Sequence, residues 1–145
     1  MNEALHRDHP WPPAQAAIVR LAPLLLLLAL VLFPLGWLGE EWRPFGRLID
    51  RVFPTAREHA FGHGSLFLLL GLLALAAFPA LRRRPWRYAG VLFLAGIGQE
   101  ALQLLYKQRP LAFDDARDLA TDLVGLLTAF VVVWAWGWVK RRGWV

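Results

Sequence analysis

Four apolar blocks, each close to twenty residues long, leave this chain few ways to fold. They are Leu21–Gly39, Gly64–Leu81, Tyr88–Tyr106 and Leu119–Val139. About 20 residues at 1.5 Å rise cross a hydrocarbon core of about 30 Å. A soluble domain with the same 57% of hydrophobic residues seldom gathers them into uninterrupted blocks. The expectation is an all-α membrane protein, a four-transmembrane-helix bundle over residues 21–139. A tail at 1–20 precedes it, a basic tail at 140–145 follows, and no separate soluble domain fits. The first block is longer than the apolar core of a secretory signal, and "GWLGEEW" offers no small-x-small cleavage site, so it reads as a retained span. Pro23 and Pro34 fall near its ends, where a lost backbone bond does least harm.

The formal net charge is +5, but the basic residues lie between the blocks and at the chain ends. That is the ordinary distribution for a membrane protein, and no nucleic-acid partner is expected. The chain has no cysteine, which excludes thiol nucleophiles, disulfides and thiolate metal sites. Four spans place both termini and the "RRRPWR" loop on one side, with Arg82, Arg83, Arg84 and Arg87 directly at two span ends. With Arg7, Arg20, Lys140, Arg141 and Arg142 that side holds nine basic residues, against seven on the other (Arg43, Arg47, Arg51, Arg57, Lys107, Arg109 and Arg117), so the short loop at the span ends decides, and it is expected in the cytoplasm. The expected location is the bacterial cytoplasmic membrane, with cytoplasmic termini and an aromatic anchor of Trp134, Trp136 and Trp138 at the inner end of the fourth span. In the first outer loop, Phe45, Leu48, Ile49, Val52 and Phe53 recur at helical spacing, with Arg43, Arg47, Asp50 and Arg51 between them. This predicts a short amphipathic helix ended by Pro54, lying flat at the outer interface or packed as a lid on the span ends.

The polar residues within the blocks collect at one depth. Glu100 precedes Lys107 by two helical turns, roughly 10 Å below the outer end of the third span. A carboxylate in hydrocarbon costs at least about 2.5 kcal/mol, so it points to a ligand, a proton or a partner helix. Gln103 shares its face, His59 and His63 open the second span, and Asp118 and Asp122 open the fourth, with Arg109 in the loop before them. The candidate outward-facing pocket is therefore His63, Glu100, Gln103, Arg109, Asp118 and Asp122. Arg109 is expected to be its anion-facing group, because a guanidinium matches phosphate with two parallel bonds. Simpler roles stand beside these: a capping or dipole role for Asp118 and, less well, for Asp122, structural pairing of Arg109 and Arg117 with these acids, a carbonyl partner for His63 and an inter-helix hydrogen bond for Glu100.

In order and spacing, these residues resemble the VanZ-like family, small membrane proteins named for a factor in teicoplanin resistance. The similarity runs over His63, Phe67, Leu70 and Gly71, then Glu100, Gln103 and Arg109, then Asp118, Asp122 and Gly125. Three features differ. His59 and Ala60 stand where the family often has an acid-Lys pair, Asp122 replaces its asparagine, and the stretch from Arg109 to Asp118 is a few residues longer. The resemblance implies a cell-envelope membrane protein, linked in some members to reduced glycopeptide susceptibility.

The function expected from the pocket is binding of membrane lipid headgroups or a lipid-linked envelope precursor, with homo-oligomerisation open. The alternatives are a membrane-embedded metal-dependent or lipid-processing enzyme and a small proton- or ion-coupled transporter. "HAFGH" spaces two imidazoles one turn apart, but Ala60 leaves no HExxH base and the same helix supplies no third ligand. No metal and no cofactor are expected on that ground, and no serine nucleophile is recognisable.

Overall fold

Pro34 shapes the first element. Proline has no N–H to donate, and its ring clashes with the carbonyl one turn back. In the structure, a computed structural model that describes residues 13–143, α1 (Pro13–Leu32) runs through Pro23 but stops short of Pro34. α2 (Leu35–Glu41) then leaves at a bend of 62°. The expected span Leu21–Gly39 is thus broken after Leu32 into a bent pair that begins earlier than the apolar block. The proposed tails at 1–20 and 140–145 fall partly outside the described residues, Arg7 with them.

α3 (Arg43–Val52) is the amphipathic helix expected from the loop. It starts with Pro44 in its first turn and ends just before Pro54. Phe45, Ile49 and Phe53 turn toward the protein, while Leu48 and Val52 are exposed. α4 (Ala56–Ala77) opens on Thr55, whose side chain accepts from the Glu58 N–H while the Glu58 carboxylate accepts from the Thr55 N–H, satisfying backbone donors that the helix leaves free. A 3-10 turn at Pro79–Arg83 reverses the chain into α5 (Pro85–Lys107). Gln108, in the left-handed conformation at φ 47°, ends α5 and turns the chain toward α6 (Phe113–Arg141).

Helices are the only regular elements among the described residues, with no strand. α4, α5 and α6 are each long and apolar enough to cross a membrane, and the bent α1–α2 pair makes a fourth if it counts as one span. The chain is accordingly a multi-pass membrane protein. Its surface agrees: Leu25, Leu26, Leu69, Val91, Leu94, Ile97, Val124, Val131 and Val132 all face outward, where lipid replaces the hydrophobic core as their solvent.

α4 packs most extensively on α6, and small residues set their approach. A Cβ at Gly125 would lie 2.9 Å from the Leu68 backbone nitrogen, and one at Gly64 would lie 3.2 Å from Thr121 Cγ2. Small residues let helix backbones approach where lipid supplies no hydrophobic drive for association. The buried core beneath this crossing joins Val31, Phe67, Leu70, Leu75, Tyr88 and Leu126. Tyr88 donates to the Leu126 carbonyl at 2.8 Å, so its hydroxyl is not left unpaired. At the end of the bundle that carries Arg82–Arg87, Arg20 donates to the Ala77 carbonyl, tying α1 to the end of α4. Trp86, Trp134, Trp136 and Trp138 are exposed at this end, with Lys140 over Trp136 and Arg142 over Trp138. The polar residues gather at the opposite end.

Candidate functional site

Three helices bring the polar residues to one level. His63 lies two turns into α4, Glu100 two turns before the end of α5, and Asp118 and Asp122 lie in the second and third turns of α6. At 1.5 Å per residue these depths are roughly 8–14 Å from the helix ends. The matched depths come with contact. One ligating atom each from His63, Glu100 and Asp118 fall within 4.8 Å of one another. Asp122, fully buried, joins them through a hydrogen bond of 3.3 Å between its Oδ1 and His63 Nδ1. Gly96 makes room for this carboxylate: a Cβ there would lie 3.2 Å from Asp122 Oδ2.

Satisfaction is incomplete. Glu100 is 3% exposed, and neither of its carboxylate oxygens has a hydrogen-bond partner. Asp122 Oδ2 and Asp118 Oδ1 are also buried without one. Buried carboxylates without donors are costly, because nothing replaces the water they lose. The nearest cation is Arg117, whose guanidinium reaches Asp114 at 3.2 Å and lies 4.0 Å from Asp118.

The remaining candidates fall elsewhere. Gln103 lines the neighbouring cavity, and its Oε1 accepts from Lys107 Nζ at 3.2 Å. Arg109 does not face the carboxylate cluster. Its two terminal nitrogens grip Asp115, one at 2.8 Å. Asp115, 1% exposed, also accepts the Ala112 N–H at 2.7 Å, so it fixes the loop and the start of α6 together. This pairing raises the Arg109 pKa further above its ordinary value, chiefly through the hydrogen bond to Asp115. The expected role of Arg109 as the anion-facing group is corrected on this geometry: its fork is already filled. Asp115 was the missed partner. Its sequence signal was its position in the first turn of α6, three residues after the residue that opens the helix.

The cavity itself encloses about 600 Å³, within the range of small-molecule sites. α1, α2, α3, α4 and α5 all line it, and His63 is the residue it shares with the carboxylate cluster. Its walls are divided. Leu30, Phe33, Ile49, Phe53 and Leu66 form an apolar side, and His59, Gln99, Gln103 and Lys107 bring polar groups together with the acids Glu40 and Asp50. The break at Pro34 shapes this space, since it bends α2 over the end of the bundle and lets α3 pack beside it, with Gly39 meeting Gly46. Phe53 rests on Gly62 and on the His59 ring at 5.8 Å, which holds the α3 end against α4. His59 therefore stands apart from the carboxylate cluster, its Nδ1 lying 3.4 Å from the Thr55 carbonyl. The ground for expecting no metal had been the lack of a third ligand on the histidines' own helix. That ground fails for His63, because α5 and α6 supply carboxylates.

No protein-family model, curated protein or solved structure matches this chain.

Proposed function

We propose that this chain is a VanZ-like, four-span protein of the bacterial cytoplasmic membrane that binds the phosphorylated headgroup of an envelope lipid or lipid-linked precursor. α1 and α2 together make the first span, and α3 lies at the outer interface, covering the cavity. The termini and the Arg82–Arg87 loop face the cytoplasm, so the cavity opens at the outer leaflet. One observation carries the reading: a cavity of about 600 Å³ with an apolar side and a polar side, lined in part by His63. A lipid presents the same division, with acyl chains against Phe33, Ile49 and Phe53 and a headgroup against His59, Gln103 and Lys107. Lys107, which lines the cavity and is held only by Gln103, is the cation placed to meet a phosphate, whereas Arg109 is paired with Asp115. The convergence of His63, Glu100, Asp118 and Asp122 at one depth supports the VanZ-like reading, because those residues come from three separate parts of the resembling pattern.

Native mass spectrometry of the purified protein tests the reading. Phosphorylated lipids should be retained above their share of the bulk membrane, and Lys107→Gln should reduce that retention. Retained lipids that match the bulk membrane and ignore Lys107→Gln would remove the lipid reading. The enzyme alternative gains from one observation, the three-helix set of ligating groups, which has consequences of its own.

A further inference from the structure

Beneath the cavity, four carboxylate oxygens of Glu100, Asp118 and Asp122 are buried without hydrogen-bond partners. They lie beside an imidazole already held by one of these acids. Arg117 reaches only the edge of this group, its unpartnered Nε 4.0 Å from Asp118 Oδ1, and among the described residues no lysine or arginine pairs with Glu100 or Asp122. A proton on Glu100 supplies one donor to one acceptor and leaves the others bare. A cation reaches several at once, and the spacing suits one: atoms of His63, Glu100 and Asp118 lie mutually within 4.8 Å, on three different helices. Small side-chain rotations close such a set onto a single ion at about 2.0–2.2 Å per bond. We propose that His63, Glu100 and Asp118 bind one divalent transition-metal cation at the floor of the cavity, with Asp122 positioning His63.

The donor types narrow the ion. One imidazole nitrogen with carboxylate oxygens suits Mn²⁺ or Zn²⁺ better than Mg²⁺ or Ca²⁺, which prefer oxygen alone. Asp122 takes the part that carboxylates take behind metal-bound histidines. It accepts from Nδ1, which fixes the ring and leaves Nε2 to the metal. Three protein ligands leave a coordination position open, and His63 sits where the cluster meets the cavity, so that position faces a bound ligand. The inference goes beyond the lipid reading and stands without it, since a cation answers the orphaned oxygens whatever occupies the cavity above.

The test uses full-length protein, purified in detergent, stripped with a chelator and freed of lipid. Titrated with Mn²⁺ near neutral pH, it should bind one ion per chain, seen as loss of the free-ion paramagnetic resonance signal. The bound ion should show nitrogen hyperfine coupling from the His63 imidazole, and Zn²⁺ should displace it. His63→Gln should abolish the coupling, and Glu100→Gln should weaken binding by roughly tenfold or more. Glu41→Gln, at an exposed acid that ends α2 away from the cluster, should change nothing. Failure of both metals to bind, or bound Mn²⁺ without nitrogen coupling, would overturn the site. If His63→Gln or Glu100→Gln cannot be purified folded, the coupling in the unaltered protein decides alone. Metal binding without lipid selectivity would sink the lipid reading but keep this one, and the reverse result would do the opposite.

Discussion

At the scale of single residues, the arginine and the glutamate that the sequence groups together are separated by their partners. Arg109 and Glu100 fall at similar depth, and a direct pairing was a reasonable expectation from spacing. The structure gives Arg109 to Asp115, six residues away, and leaves Glu100 without a hydrogen bond. The difference follows from loop geometry: Gln108 turns the chain so that the guanidinium meets the first turn of α6 before it can reach α5. Removing one member of such a pair hurts most when the survivor is the more buried. Asp115 is 2% exposed at its side chain and Arg109 32%. Arg109→Gln should therefore lower the melting temperature by more than Asp115→Asn does. The double variant should fall short of the sum of the two, because the residues interact directly. Arg109→Gln combined with Glu100→Gln should instead be close to additive. Thermal unfolding of the three single and two double variants in one detergent measures this, and strong coupling between Arg109 and Glu100 would restore the pocket that the sequence suggested.

At the scale of elements, the apolar blocks located α4, α5 and α6, because an uninterrupted apolar run in lipid can only be a helix. The block boundaries were less reliable: α6 starts six residues before its block, since Asp114, Asp115 and Arg117 are as helical as the valines that follow. Pro34 was visible but its consequence was underestimated. A proline near the end of an apolar run leaves its length unchanged yet turns the next segment by 62°, and that turn creates the cavity. The amphipathic period of α3 was legible. Its role as a cavity wall was not, because Ile49 and Phe53 show their partners only once α4 is in place. The α4–α6 crossing carries a direct test. Gly125→Ala places a methyl 2.9 Å from the Leu68 backbone nitrogen, and backbone within a helix cannot yield as a side-chain tip can. Overpacking of this kind costs about 1–3 kcal/mol. Gly90→Ala, with nothing within 4 Å of its Cβ, should be neutral or stabilising by up to about 1 kcal/mol, since alanine is the better helix former. Equal effects of the two changes on thermal unfolding would mean that the α4–α6 contact is looser than described.

At the scale of the whole molecule, the two ends of the bundle differ in chemistry. One end gathers Arg82, Arg83, Arg84, Arg87, Lys140 and Arg142 with exposed tryptophans. The other carries the carboxylates, the cavity and α3. This asymmetry was legible in the sequence because charge and aromatic residues lie at block ends, where no tertiary contact is needed to place them. The convergence of three helices on one carboxylate cluster was legible only as depth, since helix rotation decides which residues meet and the sequence carries no direct record of it. Orientation follows from the short Arg82–Arg87 loop if its clustered arginines stay in the cytoplasm, since the opposite end also carries Arg43, Arg47, Arg51, Arg57, Lys107, Arg109 and Arg117. The chain has no cysteine, so single introduced thiols report position without background. Leu111, exposed in the loop between α5 and α6, and Ala80, exposed in the 3-10 turn between α4 and α5, lie at opposite ends of the bundle. Both sites avoid the Arg109–Asp115 pair and the carboxylate cluster. Leu111→Cys should react with a membrane-impermeant maleimide in cells whose outer barrier alone is permeabilised. Ala80→Cys should react only after the inner membrane is lysed. The reverse pattern would turn the protein over, placing the cavity and its cation site on the cytoplasmic leaflet. Labelling of both thiols from outside would mean that α5, which joins the two sites, does not cross the membrane.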